Sequence, residues 1–112
     1  MIEWTSAWLP VDDERRRRSL EGELRRELAQ NPHHVLAGRQ CEVLGLGGVG
    51  DDIIVRLDGR DEFAWVHLTW NRETRPACPH CEIIGGVAKL NRFIVDWESS
   101  FEQASGEGED HH

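Results

Sequence analysis

Side chains able to do chemistry gather in two places along this chain. One is Cys78-Pro79-His80-Cys81. Two cysteines at that spacing can share a disulfide, and the histidine between them can help hold a thiolate, which is the equipment of thiol–disulfide exchange. The same Cys78, His80 and Cys81 can ligate zinc, with His67 or Cys41 as a further ligand. The other place is Ala64-Trp65-Val66-His67-Leu68-Thr69-Trp70, where an imidazole stands among two indoles and a hydroxyl. His67 has the right group for a general base, but sequence spacing sets no serine, cysteine or carboxylate beside it. A histidine hydrogen-bonded to a backbone carbonyl is therefore expected. Trp65, His67, Thr69 and Trp70 are the candidate binding residues, and no catalytic set is expected.

The surroundings of Cys78 and Cys81 do not favour reactivity. A redox pair of this spacing works at a helix N-terminus directly after a strand, where the helix end stabilises the thiolate. Here the polar stretch from Asn71 to Pro79 precedes the pair, and Gly85-Gly86 opposes a helix running back to it. Glu82 adds negative charge beside Cys81, which raises a thiol pKa. A structural zinc site takes four ligands, commonly as two close pairs, and the chain has one such pair. The expectation is no metal. The redox pair Cys78 and Cys81, and a zinc site of Cys78, His80 and Cys81, stand as the alternatives.

Gly45-Leu46-Gly47-Gly48-Val49-Gly50 matches the dinucleotide fingerprint G-x-G-x-x-G letter for letter. That motif holds pyrophosphate because its last glycine opens a helix. Gly50 opens instead onto Asp51-Asp52 and a β-rich run, so a hairpin loop is expected and no cofactor. Arg15 to Arg18 invites a phosphate-binding reading. Yet Asp12–Arg16, Asp13–Arg17, Glu14–Arg18 and Glu21–Arg25 are all spaced i,i+4 with the acid first, which describes a solvated, self-paired helix face.

The elements that position these residues follow from periodicity. Asp12 or Asp13 caps a helix reaching about Gln30, striped by Leu20, Leu24 and Leu28 and ended by Asn31-Pro32. At least one of Trp4 and Trp8 should dock on the sheet or a helix. Cys41 to Leu46 and Asp52 to Leu57 read as strands, and Asp58-Gly59 as a turn into a third, Asp61 to Trp70. That third strand alternates between two largely apolar faces, as an interior strand does, with Val66, Leu68 and Trp70 buried. A loop of two or three residues would set Arg56 opposite Asp61 or Glu62. Val87, Leu90, Ile94, Trp97 and Phe101 step at helical spacing. The expected fold is α+β, a single domain over residues 1–103: a three-stranded antiparallel meander with N- and C-terminal helices, α-β-β-β-α. Residues 104–112 read as an acidic, disordered tail, whose closing His111-His112 resembles the start of a purification tag.

Asp51-Asp52-Ile53-Ile54-Val55 followed by Ala64-Trp65-Val66-His67-Leu68-Thr69-Trp70 resembles a family of small bacterial proteins carrying a "DDVLF" strand and a "VVHLTW" strand. Its members place these after an amphipathic helix and a glycine-containing connector like Leu36-Ala37-Gly38-Arg39, and the likeness covers roughly residues 14 to 83. The family has no assigned activity, so the resemblance implies a fold unit and no substrate. Pro79 fits its pattern, whereas Cys78 and Cys81 depart from it.

Composition bounds the partners. Thirteen basic against twenty-one acidic side chains leave a net charge of −8, which repels nucleic acid and anionic lipid and suits a basic protein partner. No apolar run approaches the roughly 20 residues of a membrane span. Three cysteines and an N-terminus without a basic start suggest a cytoplasmic protein. The function expected is a non-enzymatic binding protein, of the bacterial immunity or antitoxin-like kind. A thiol–disulfide oxidoreductase and a small zinc-stabilised module are the alternatives.

Overall fold

The computed structural model describes residues 1–47, 50–70 and 80–97. In chain order the elements are β1 (Trp8–Pro10), α1 (Glu14–Ala29), β2 (Cys41–Gly47), β3 (Asp52–Leu57), β4 (Phe63–His67) and β5 (His80–Gly85). A second helix, α2, follows, and its described part covers residues 87–97. The five strands form one antiparallel sheet in sequence order.

The expected three-stranded meander is therefore too small. The order of the three middle strands is as expected, but the third, β4, covers Phe63–His67 rather than Asp61 to Trp70, and a strand is added at each end. β1 is three residues long and contains Pro10, which only a sheet edge tolerates, so it has no alternation to read. β5 begins at His80, directly after the polar stretch from Asn71 to Pro79, where no strand was expected, and pairs with β4 from His67↔His80 to Phe63↔Gly85.

β3 and β4 are covered on both faces. Ile53, Val55, Leu57, Ala64, Val66 and Leu68 face α1 and meet its Leu20, Leu24 and Leu28. Ile54 and Phe63 face the other way, onto Trp8 and the α2 residues Leu90 and Ile94. α1 begins where expected, with the Asp13 side chain accepting from the Arg15 N–H at 3.1 Å. The apolar stripe of α2 is also as expected through Trp97, whose ring packs 5.2 Å from Trp8 and 5.9 Å from Trp65. Phe101 and the tail at 104–112 lie outside the described residues.

A bulge at Leu44 resets the alternation of β2, so that Gly45 and Gly47 both lie on the α2 side. There they let two indoles approach the backbone. A Cβ on Gly45 would stand 2.5 Å from the Trp4 ring, and one on Gly47 would stand 2.7 Å from the Trp8 ring. Half of the fingerprint-like glycines thus serve tryptophan packing, and Gly50 leads through a turn into strand β3.

β1 covers only the Gly45–Gly47 end of β2. At Val43 the helix completes the edge with side chains. Glu21 accepts from the Val43 N–H at 2.9 Å, and Arg17 donates to the Val43 carbonyl at 3.2 Å. Glu21 is thereby committed away from the expected pairing with Arg25. Arg17 also reaches the Val11 carbonyl at 2.8 Å, leaving Arg18–Glu14 as the expected pair that forms.

The turn between β3 and β4 has positive φ at both Asp58 and Gly59, as a mirror-image hairpin turn requires. Pairing resumes at Arg56↔Phe63, so Arg56 meets neither Asp61 nor Glu62. Its guanidinium instead reaches Glu42 on β2 at 2.9 Å, while Glu62 pairs with Arg39 at 2.6 Å.

Candidate functional site

The register of β3 and β4 sets Asp52 directly opposite His67, on the face that carries Trp65. Directly opposite residues share a face at contact distance, and here the contact is polar. His67 Nδ1 lies 2.9 Å from Asp52 Oδ1, and the Trp65 indole N–H donates to that same oxygen at 3.0 Å. Asp52, only 8% exposed, is held from two sides. Asp51 approaches the far nitrogen of the ring, with its Oδ2 3.7 Å from His67 Nε2. The backbone joins this corner too, since the Leu68 N–H donates to the Asp51 carbonyl at 2.7 Å.

His67 therefore has the carboxylate neighbours that sequence spacing did not reveal, rather than a backbone carbonyl partner. The bond to Asp52, above the loss from burial and with further help from the charges of Asp51 and Glu27, holds the imidazole above its ordinary pKa of 6.5. The residues missed were Asp51 and Asp52. Their signal was the acid pair at the start of β3, legible only with the correct hairpin register.

Thr69 and Trp70 belong to a second, adjoining arrangement. Glu27 on α1 is 1% exposed and aims its carboxylate at the chain leaving β4. It accepts from the Thr69 N–H at 3.0 Å and from the Trp70 N–H at 2.8 Å. Burial and the hydrogen bond with Glu23 push its carboxyl up, against the pull of those two amides. Glu23 in turn is bridged to Arg26. Trp70 adopts φ +60° and leaves its indole 47% exposed, so the expectation that it is buried fails, while Val66 and Leu68 are buried as expected. A bulky residue at positive φ is an outlier held by its surroundings. Here the surroundings are the Glu27 carboxylate.

The four candidate binding residues thus divide. Trp65 anchors Asp52 and packs on Trp97, His67 bridges Asp51 and Asp52, Thr69 is clamped through its backbone, and Trp70 alone presents a large exposed surface.

Cys78 lies outside the described residues. Cys81 stands within strand β5 rather than at a helix N-terminus, and its side chain packs against the α1-side core. Burial pushes its thiol up. His80 is the neighbouring residue of the same strand, so it points to the opposite face of the sheet. The two cannot close on one ion without breaking the strand. Cys41 is pushed up to about 11, by burial first and then by the charge of Asp58.

No known family model matches the chain, and neither does any curated protein or solved structure.

Proposed function

We propose that this chain is a non-enzymatic binding protein for a basic protein partner, of the kind a bacterial immunity or antitoxin-like factor provides. The observation that carries this reading is Trp70. A buried carboxylate on α1 is committed to fixing the backbone of one tryptophan in a strained conformation, and the indole so fixed faces solvent. Tryptophan is the side chain most often found as an interface anchor, and its face attracts lysine and arginine. The net charge of −8 favours the same class of partner. The likeness of Asp51–Val55 and Ala64–Trp70 to a family of small bacterial proteins supplies the setting.

The test is a peptide array of lysine- and arginine-rich sequences, each paired with a scrambled version of equal charge. Binding that distinguishes sequence from scramble, and that Trp70→Ala weakens at least tenfold, is expected. Binding that follows charge alone and ignores Trp70→Ala would overturn the reading.

A further inference from the structure

We propose that His67 and Asp51 form a binding site for a divalent transition-metal ion, with Asp52 as the carboxylate that orients the imidazole. This inference stands apart from the partner-binding reading, which rests on Trp70.

The argument begins at Asp52. Its Oδ1 takes the Trp65 indole N–H at 3.0 Å, which fixes where that oxygen lies. An oxygen so placed, 2.9 Å from His67 Nδ1, selects the imidazole tautomer with its proton on Nδ1. The lone pair of the neutral ring is then on Nε2. A carboxylate bonded to one histidine nitrogen while the other faces an ion is the usual support for a histidine ligand.

Nε2 is the other ring nitrogen, on a side chain that is 41% exposed. It faces Asp51 Oδ2 at 3.7 Å, which is too long for a hydrogen bond. In the neutral ring these are two acceptors facing each other, an arrangement that a cation between them satisfies, whether the ring's second proton or a metal ion. Metal–nitrogen and metal–oxygen bonds of about 2.0–2.2 Å place two ligand atoms of one ion roughly 3 to 3.7 Å apart. The gap therefore has the width of a shared ion. Ligand atoms of Asp51, Asp52 and His67 all lie within 4.8 Å of one another. On β5, His80 stands directly across from His67, so a further imidazole shares this face. Mixed imidazole and carboxylate donors suit first-row divalent ions better than calcium, which takes oxygen alone.

The site differs from the zinc ligands suggested by the sequence. It uses neither Cys78 nor Cys81, and it draws on the β3–β4 hairpin.

Manganese(II) is the probe, because it suits nitrogen and oxygen donors and broadens nearby nuclear resonances. Amide spectra of the full chain, without any added tag, are recorded at fixed pH as the ion is titrated. Saturable broadening centred on the amides of Asp51, Asp52, His67 and Leu68 is expected, before any effect at His33 or His34. His67→Gln and Asp51→Asn should each weaken it at least tenfold. Asp52→Asn, which leaves both ligands in place, should weaken it less than His67→Gln does. The unbroadened amides of each variant report in the same spectrum that the sheet is intact. Broadening spread over exposed carboxylates without saturation, or broadening at these amides that survives His67→Gln in a folded variant, would overturn the proposal.

Discussion

His67 and Glu27 are opposite cases of the same electrostatics. His67 gains a carboxylate partner on folding, and its pKa is raised above the ordinary value of 6.5. The folded state then binds its proton more tightly than the unfolded chain does, so the stabilisation is complete below about pH 6.5 and is lost as pH rises through the folded value. Thermal melts in chelator-containing buffer should show this decline between mildly acidic and mildly alkaline pH. His67→Gln should flatten it, and an unchanged slope in that variant would place the dependence elsewhere. Glu27 is buried with two backbone amides as its partners. Removing the acceptor while leaving those amides covered costs about 1–3 kcal/mol, so Glu27→Ala should destabilise by that order. Glu27→Gln keeps an oxygen for the amides and discards a buried charge, and it should cost clearly less. Hydrogen exchange at Thr69 and Trp70 is the second readout, faster in Glu27→Ala than in Glu27→Gln.

Among the elements, β2 shows how the sheet reconciles two demands. It carries a bulge and two glycines because Trp4 and Trp8 must lie flat against it. Overpacking of this kind typically costs about 1–3 kcal/mol, so Gly47→Ala and Gly45→Ala should each lower stability by that order in urea melts. Gly22 is the control. It sits inside α1, where an added Cβ meets nothing within 4 Å, and alanine there should stabilise by about 0.5–1 kcal/mol. If all three substitutions behaved alike, helix and strand propensity rather than ring contact would be setting the outcome. The β2 edge at Val43 is satisfied by Arg17 and Glu21 rather than by a strand, which shields it from pairing with another chain. β5 places Cys81 in a strand with its thiol pushed up, so alkylation of native Cys81 at neutral pH should be slow. Insulin reduction in dithiothreitol should likewise show no turnover by the chain.

At the scale of the whole molecule, the helices occupy opposite faces of the sheet, and among the described residues Trp70, beyond the end of β4, is 47% exposed. No helix among the described residues is long and apolar enough to cross a membrane. With a net charge of −8, association with a basic partner should be steered over a distance and screened by salt. For any basic peptide found to bind, the association rate should fall on the order of tenfold between low and high ionic strength. Trp70→Ala should act chiefly on dissociation. Stopped-flow measurements separate the two, and a partner whose association ignores salt would not be recognised through charge.

The two helices, the β2–β3–β4 meander and the Asp58-Gly59 turn were all legible in the sequence. Each is written in a local period, a cap or a turn dipeptide, and such signals depend on residues a few positions apart. β1 and β5 were not legible, because a three-residue strand and a strand following a proline-containing polar stretch become strands only by pairing with a neighbour already in place. The same holds for the candidate site. His67 was marked as a residue of interest by its type and setting, but its partners depended on hairpin register. A shift of one residue moves every side chain of a strand to the other face, and the expected loop lengths set Arg56 opposite Asp61 or Glu62 rather than Phe63. Only the true register brings Asp52 beside His67. Glu27 lies forty-two residues from Thr69; it falls in phase with Leu20, Leu24 and Leu28, so the stripe of α1 marks its position as inward, but nothing local names a partner for a carboxylate there. The packing of α1 on the sheet decided the partners, by bringing that carboxylate to the Thr69 and Trp70 amides.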